Sequence, residues 1–324
     1  MTLNLFYQEP DPDRWVPFDR YPRRIVRRLL RGPARPGGQK MVFLNLMKGL
    51  DRLGVPYRVN DFRHARRHPD ELACVVGKPQ LVLDRKWSNP ILFGASVFSH
   101  PIDHGDLLDT TTVRHVLVPG PWILDMFRPY YGDRVSAWPV GIDTEKWAPA
   151  DVPKTTDVLL YNKVRWEKEH YDEVLVQPIR DELARRGLTT TELRYGSYGP
   201  PDLAEAVRTC RAAIFLCEHE TQGIAYQQIL SSGVPILAWD RGGEWQDPEY
   251  HPDRVRYAEV SSVPYWDERC GLTFPDAAAF PDALVAFWDG VESGRFAPRD
   301  YVLENLTLEK SAQEYVDVAQ SLIG

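Results

Sequence analysis

Short apolar runs alternate with segments whose apolar residues recur at helical spacing, and the alternation continues through most of the chain. "LNLFY" (3–7) reads as a first strand. "QKMVFLNLMKGLDRLG" (39–54) follows the helical period and stops on Gly54, a residue suited to a left-handed helix cap. "PYRVN", "LACVVG", "PILFGA" and "HVLVPG" are further strands before residue 121. "PWILDMFRPYYG" (121–132) has proline in its first turn and glycine past its end, the marks of a short helix, and "RVSAWPVG" returns to a strand. The pattern pauses at "IDTEKWAPADVPKTT" (142–156), a polar stretch that reads as a linker. It restarts with "DVLLYNK", a helix within 168–186 closed by Gly187, "TELRYGSY" and a helix near 201–211. "AAIFLCE", a helix from Gly223, "PILAWD", "VRYAEV" and "GLTF" follow, and helices over roughly 276–290 and 309–323 close the chain.

Strand–helix alternation on both sides of a linker predicts an α/β protein with two Rossmann-like parallel-sheet domains, divided at 145/146. Such sheets bind ligands beyond the carboxyl ends of their strands, so two of them face an interdomain cleft. A chain of 324 residues is long enough to build both cores. No apolar run is long enough to span a bilayer, and the N-terminus lacks a signal-peptide core, so a cytoplasmic protein is expected. Cys74, Cys210, Cys217 and Cys270 are scattered without a CxxC pair, which suits reduced thiols rather than disulfides or a zinc site.

Charge adds one feature. Residues 1–70 hold 15 Lys+Arg against 7 Asp+Glu, while the remainder holds 24 against 39. "YPRRIVRRLLRGPARP" (21–36) sets Arg23, Arg24, Arg27, Arg28 and Arg31 around Ile25, Val26, Leu29 and Leu30. One reading is a basic helix that touches an anionic membrane surface or acceptor from the cytoplasmic side. The other is a helix packed on the first sheet through its short apolar stripe. Nothing points to nucleic acid.

Several chemistries lack their motifs. There is no GxxxxGK[ST], no GxSxG, and no GxGxxG after the first strand. Asp11 and Asp13 form a DxD-like "DPD", but Pro12 and the polar surroundings favour a plain turn. His100 and His104 are four apart, yet Pro101 and Gly105 break the helix a metal pair would need.

The most informative stretch is "AAIFLCEHETQGIAYQQILSSGVPILAWDRGGEW" (212–245). A buried strand delivers Glu218, His219 and Glu220 onto the start of a helix at Gly223. A helix N-terminus offers unpaired N–H groups and the positive end of a dipole, which suits a diphosphate. Gly223 permits close approach of a phosphate to the backbone, and the loop before it carries Gln222 and Glu220, the latter placed to accept hydrogen bonds from sugar hydroxyls. Gln228 lies about two helical turns beyond Glu220, on nearly the same face, within reach of a ribose.

"ETQGIAYQQILSSGVPILAWDRGG" resembles the E-x-x-G-x-x-x-x-E-A-x-x-x-G-x-P signature of GT-B retaining glycosyltransferases, most closely the family-4 group. The first Glu falls on Glu220, the glycine on Gly223 and the G-x-P on Gly233 and Pro235. Gln228 stands where the family has its second Glu, and an amide there keeps hydrogen bonding but loses the charge. "VLVPGPWILDMFRPYYGDRVSAWPVGIDTEKWAP" (116–149) resembles the family's passage from the first domain into an N-G-I-D-x-x-x-F-x-P linker, with Val140 for Asn and Trp147 for Phe. "LLYNKVRWEKEH" (159–170) resembles the first strand of domain two, with Lys163 and Lys168 on the basic positions that hold a donor diphosphate. "PGGQKMVFLNLMKGL" (36–50) resembles the Gly-Gly loop, with Gly37 and Gly38 near the donor, and "ILFGASVFSHPID" puts His100 where the family keeps a cleft histidine.

The resemblance implies a GT-B fold in which a final helix, 306–324, packs back on the N-terminal acceptor-side domain. It implies a nucleotide-diphosphate sugar as donor, a saccharide or lipid-linked acceptor, no metal, and transfer of a hexose with retention. Glu220, His100 and Lys163 are the expected catalytic residues. Gly38, Lys163, Lys168, Glu220, Gln222, Gly223, Ile224 and Gln228 are the expected donor contacts. Surface polysaccharide or glycoconjugate synthesis is the expected setting. A nucleotide-sugar epimerase on the same fold, and a degenerate GT-B protein that binds without turnover, are the alternatives.

Overall fold

A computed structural model describes residues 1–9, 16, 22–23, 26, 37–95, 98–245, 247, 257 and 259–323. The "DPD" at 11–13 and Arg24, Arg27, Arg28 and Arg31 lie outside the described residues, whereas Arg23 is within them. The chain divides into two compact units: residues 1–119, 127–138 and 312–324, and residues 120–126 and 139–311.

The first unit is built on a six-stranded sheet of β1 (Leu3–Phe6), β2 (Tyr57–Val59), β3 (Ala73–Val75), β4 (Ile91–Phe93), β5 (Val113–Val118) and β6 (Val135–Ala137). All pairings are parallel, in the order β2-β1-β3-β4-β5-β6. Helix α1 (Gly38–Leu53) ends where the sequence predicts: Gly54 turns left-handed at φ +67°, and its N–H returns to carbonyls of the last turn. Helix α2 (Phe62–Arg67) has no apolar period and was not expected; Asp61 starts it by accepting from the His64 N–H at 2.9 Å. Helix α3 (Pro121–Tyr131) follows β5 as predicted.

The second unit is built on β7 (Thr156–Asn162), β8 (Thr190–Arg194), β9 (Cys210–Leu216), β10 (Ile236–Trp239) and β11 (Gly271–Phe274), again all parallel, in the order β11-β10-β9-β7-β8. The inner strands β7, β9 and β10 are buried on both faces, which explains why they read as apolar runs, whereas the edge strand β8 is polar and largely exposed. Leu159, Tyr161, Ala213 and Phe215 enter one core, while Val158, Leu160, Ala212, Ile214 and Leu216 enter the other. The chain leaves β7 toward β8 on one side and returns to β9 on the other. The carboxyl ends of β7 and β9 are therefore the topological switch point of this sheet, the place where open α/β sheets bind ligands.

Some expectations need correction. The single helix within 168–186 is three pieces: α4 (Lys168–Tyr171), a π-helical turn at Asp172–Val176, and α5 (Gln177–Arg185). Pro178 lacks the N–H that a regular ladder needs at that point, and the wide turn immediately precedes it. Helix α6 (Pro200–Thr209) starts one residue early, with the Asp202 carboxylate accepting from Gly199 N–H at 2.6 Å. Helix α7 (Ile224–Ser231) agrees with the sequence. Three helices, not two, end the chain: α8 (Phe280–Glu292), α9 (Pro298–Asn305) and α10 (Leu308–Ser321). Of "VRYAEV", residues 255, 256 and 258 lie outside the described residues, and the rest form no strand. In the first unit Tyr315 packs edge-on against Trp138 at 5.2 Å between ring centroids. All four cysteines are buried, unpaired thiols. No described helix is long and apolar enough to cross a membrane.

Candidate active site

The site grows from the switch point of the second sheet. β9 ends at Leu216, two residues before the Glu218 that the sequence suggested, so Cys217, Glu218, His219 and Glu220 all belong to the loop into α7. β7 ends at Asn162, and the Lys163 N–H still bonds Leu216 O at 2.7 Å, holding the two strand exits side by side. From these exits the Lys163 ammonium and the Glu220 carboxylate meet as an ion pair, Nζ to Oε1, with side chains only 14% and 8% exposed. Burial works against the Lys163 charge, but the Glu220 carboxylate and the polar groups around it outweigh that cost. The net effect holds the ammonium above its ordinary range, so it stays charged. Lys163 also sits over the Tyr195 ring, 4.8 Å from its centroid.

The Glu220 backbone is fixed on both sides. Its N–H donates to Ser261 O at 2.9 Å. Its carbonyl accepts from the Trp122 indole at 2.7 Å, a buried bond spanning 98 positions of sequence. Trp122 also stands edge-on to His219 at 5.4 Å, and Gly120 approaches Thr221 O so closely that a Cβ would lie 2.5 Å from it. No described side chain hydrogen-bonds the second Glu220 oxygen, Oε2.

Glu218 is fully buried, and it organises the loop after β7. Its Oε1 accepts from the backbone N–H groups of Arg165 at 2.8 Å and Trp166 at 3.0 Å, and its Oε2 lies 3.7 Å from Arg165 Nε. Arg165 in turn donates to His219 O at 2.8 Å and lies over the Trp166 ring. Sequence reasoning gave Glu218 a supporting or structural place at most, with no catalytic role, and passed over Arg165. The signal for Glu218 was present, since a carboxylate two residues past a buried strand must find donors. Trp122 carried no local signal. Cys217 is no nucleophile, because burial pushes its thiol well up.

The other expected donor contacts divide by their settings. Gln222 is 7% exposed, and neither atom of its carboxamide has a hydrogen-bond partner among the described residues. Such a group costs about 1–3 kcal/mol unless something satisfies it, so it is a candidate ligand contact. Gly223 caps α7 in the left-handed region at φ +77°. The space its missing Cβ would occupy is filled by Tyr226, whose ring would come within 1.9 Å, and not left open to a phosphate. The first turn of α7 has no side-chain cap and no acidic residue, so its N–H groups remain available to an anion. Ile224 packs on the core behind this turn. Gln228 is partly exposed, and no described residue bonds its carboxamide, although its carbonyl accepts from Ser232. Lys168 is exposed at the start of α4, a short helix entered through Glu167 in the left-handed region.

Gly38 and His100 belong to the first unit. Gly38 opens α1 on the surface, with no described atom within 4 Å of where a Cβ would be. His100 is buried and uses its ring to cap a short 3-10 turn: Nδ1 accepts from Ile102 N–H at 3.0 Å, and Tyr130 stands edge-on at 5.7 Å. Burial lowers its pKa despite Asp103, so the ring is a neutral Nε2–H tautomer.

No protein-family model matches the chain, and no curated protein matches it by sequence. Solved structures do. Sucrose-phosphate synthase from Thermosynechococcus elongatus aligns over 99% of this chain and 98% of its own, at 14% identity and a TM-score of 0.61. The lipopolysaccharide outer core galactosyltransferase WaaB, in its apo form, aligns over 99% of both chains at 12% identity and a TM-score of 0.53. The chain has the GT-B fold. Within that fold, Lys163, Glu220 and the N-terminus of α7 gather at the carboxyl edge of the second sheet.

Proposed function

We propose that this GT-B protein is a retaining, metal-independent glycosyltransferase. It moves a hexose from a nucleotide-diphosphate sugar to a saccharide or lipid-linked acceptor in the synthesis of a surface polysaccharide or glycoconjugate. The observation that carries the reading is the Lys163–Glu220 pair, set at the switch point directly before an uncapped helix N-terminus. Breaking an anomeric C–O bond builds negative charge on the leaving diphosphate. A protonated Lys163 and the N–H groups of α7 are preorganised to stabilise that charge, with Lys168 as a second cation. Glu220 Oε2 and the Gln222 carboxamide accept or donate to sugar hydroxyls, and Gln228 to the ribose. Attack from the same face as departure then gives retention without an enzyme nucleophile. Transfer into a lipopolysaccharide by WaaB, which shares the fold, supports the choice of acceptor class.

The test is a thermal-shift panel of UDP, GDP, ADP, CMP and dTDP, each with its common sugars, on wild type and Glu220→Ala. The expected result is one nucleotide-sugar that raises the melting temperature of wild type more than its free nucleotide does, an increment lost in the variant. Absence of any selective shift would overturn the donor assignment.

A further inference from the structure

His64, His68 and Glu71 converge in the first unit, and none of the three is assigned above to donor binding. Their ligand-capable atoms all lie within 4.8 Å of one another, and they form the one such His/Cys/Asp/Glu group found among the described residues. His64 Nε2 is 2.8 Å from Glu71 Oε2, and His68 Nδ1 is 3.9 Å from Glu71 Oε1. The two imidazoles stack at 4.2 Å between centroids.

The surrounding structure holds these three residues in place. Asp61 fixes the start of α2, and with it the position of His64. The buried Asn89 donates to His68 O at 2.8 Å and to Glu71 O at 2.9 Å, pinning both ends of the loop that carries two of the three. The buried Asn4 donates to Glu71 Oε2 at 2.9 Å, orienting the carboxylate as outer-shell partners orient metal ligands. Side-chain exposure rises from 19% at His64 to 43% at Glu71 and 49% at His68, so an ion has a path in from solvent.

We propose that His64, His68 and Glu71 form a binding site for a divalent transition-metal ion, zinc being the best match. Two imidazoles and one carboxylate are a zinc-type donor set, with water completing the tetrahedron. Bonds of about 2.1 Å place tetrahedral ligands about 3.4 Å apart, so binding parts His64 and Glu71 from their 2.8 Å hydrogen bond, releases its proton to solvent and turns the half-exposed His68 ring inward. The ion would bind α2 to the segment entering β3 and so stabilise the first unit by linkage.

The experiment titrates the metal-free, full-length chain with Zn²⁺ against a chromophoric chelator, and with Co²⁺ while following its visible absorption. Wild type, His68→Ala, Glu71→Gln and His170→Ala, an exposed histidine elsewhere, are compared. The expected result is one equivalent bound with a four- or five-coordinate cobalt spectrum, affinity reduced by about 10-fold or more in His68→Ala and Glu71→Gln, and no change in His170→Ala. A zinc-dependent rise in melting temperature should accompany binding in wild type and vanish in His68→Ala, whose exposed position leaves the fold intact. No stoichiometric binding, or equal affinity in wild type and both ligand variants, overturns the proposal.

Discussion

Removing one member of the Lys163–Glu220 pair should cost more than removing both. Each side chain is more than four-fifths buried, so a lone survivor keeps its charge in a poorly solvated place. Two unit charges about 4 Å apart near a protein surface attract by about 4 kcal/mol at an effective dielectric of about 20. Loss of one partner of a buried pair costs about 3–5 kcal/mol, which agrees. Lys163→Met and Glu220→Gln are therefore each expected to lose about 3 kcal/mol in urea unfolding without nucleotide, followed by tryptophan fluorescence. The double variant leaves no orphan charge, so it should recover more than about 3 kcal/mol of the summed losses and end more stable than either single variant. The pH dependence has a defined sign. The folded Lys163 pKa is raised above 10.5, so its stabilisation is complete below that value and is lost as pH rises through the higher folded one. Lys163→Met should lack that alkaline decline. Additive losses, or a Glu220→Gln variant within about 0.5 kcal/mol of wild type, would refute the reasoning.

Three further outcomes follow from the same geometry. Glu218→Ala strands the Arg165 and Trp166 N–H groups and should lose about 3 kcal/mol by urea unfolding, while Glu218→Gln keeps one acceptor oxygen and recovers part of it. Gly223→Ala meets both a left-handed backbone and the Tyr226 ring, and should lower stability by about 2 kcal/mol or more in the same assay. His100 is held neutral in the fold, so the unfolded chain binds the extra proton first; stability should fall as pH drops below about 6.5. His100→Asn, which keeps an acceptor for Ile102, should flatten that acid limb.

Much of the fold was legible along the chain. The runs "VLLY" (158–161) and "AAIFLC" (212–217) are apolar at every position because their residues feed two cores in alternation, and such runs announce parallel strands buried on both faces. Gly54 and Gly223 marked helix boundaries because left-handed backbone selects glycine locally. What failed locally was also physical: α2 has no apolar stripe and rests on a cap, and the π turn at Asp172–Val176 depends on a proline that a periodicity count passes over.

The sequence by itself placed Glu220 ahead of a helix and Lys163 after a strand. It could not say that they touch, because 57 positions separate them and every buried parallel strand carries the same apolar signature. Strand order made that decision by setting β9 against β7. The same holds for Trp122 on the Glu220 carbonyl, Glu218 on the Arg165 amide, and Asn4 on Glu71: each is a polar group that desolvation forces to find a partner. Local patterning reports how much of a residue is buried. Only the packed structure determines which distant group satisfies it, because that choice depends on which elements become neighbours.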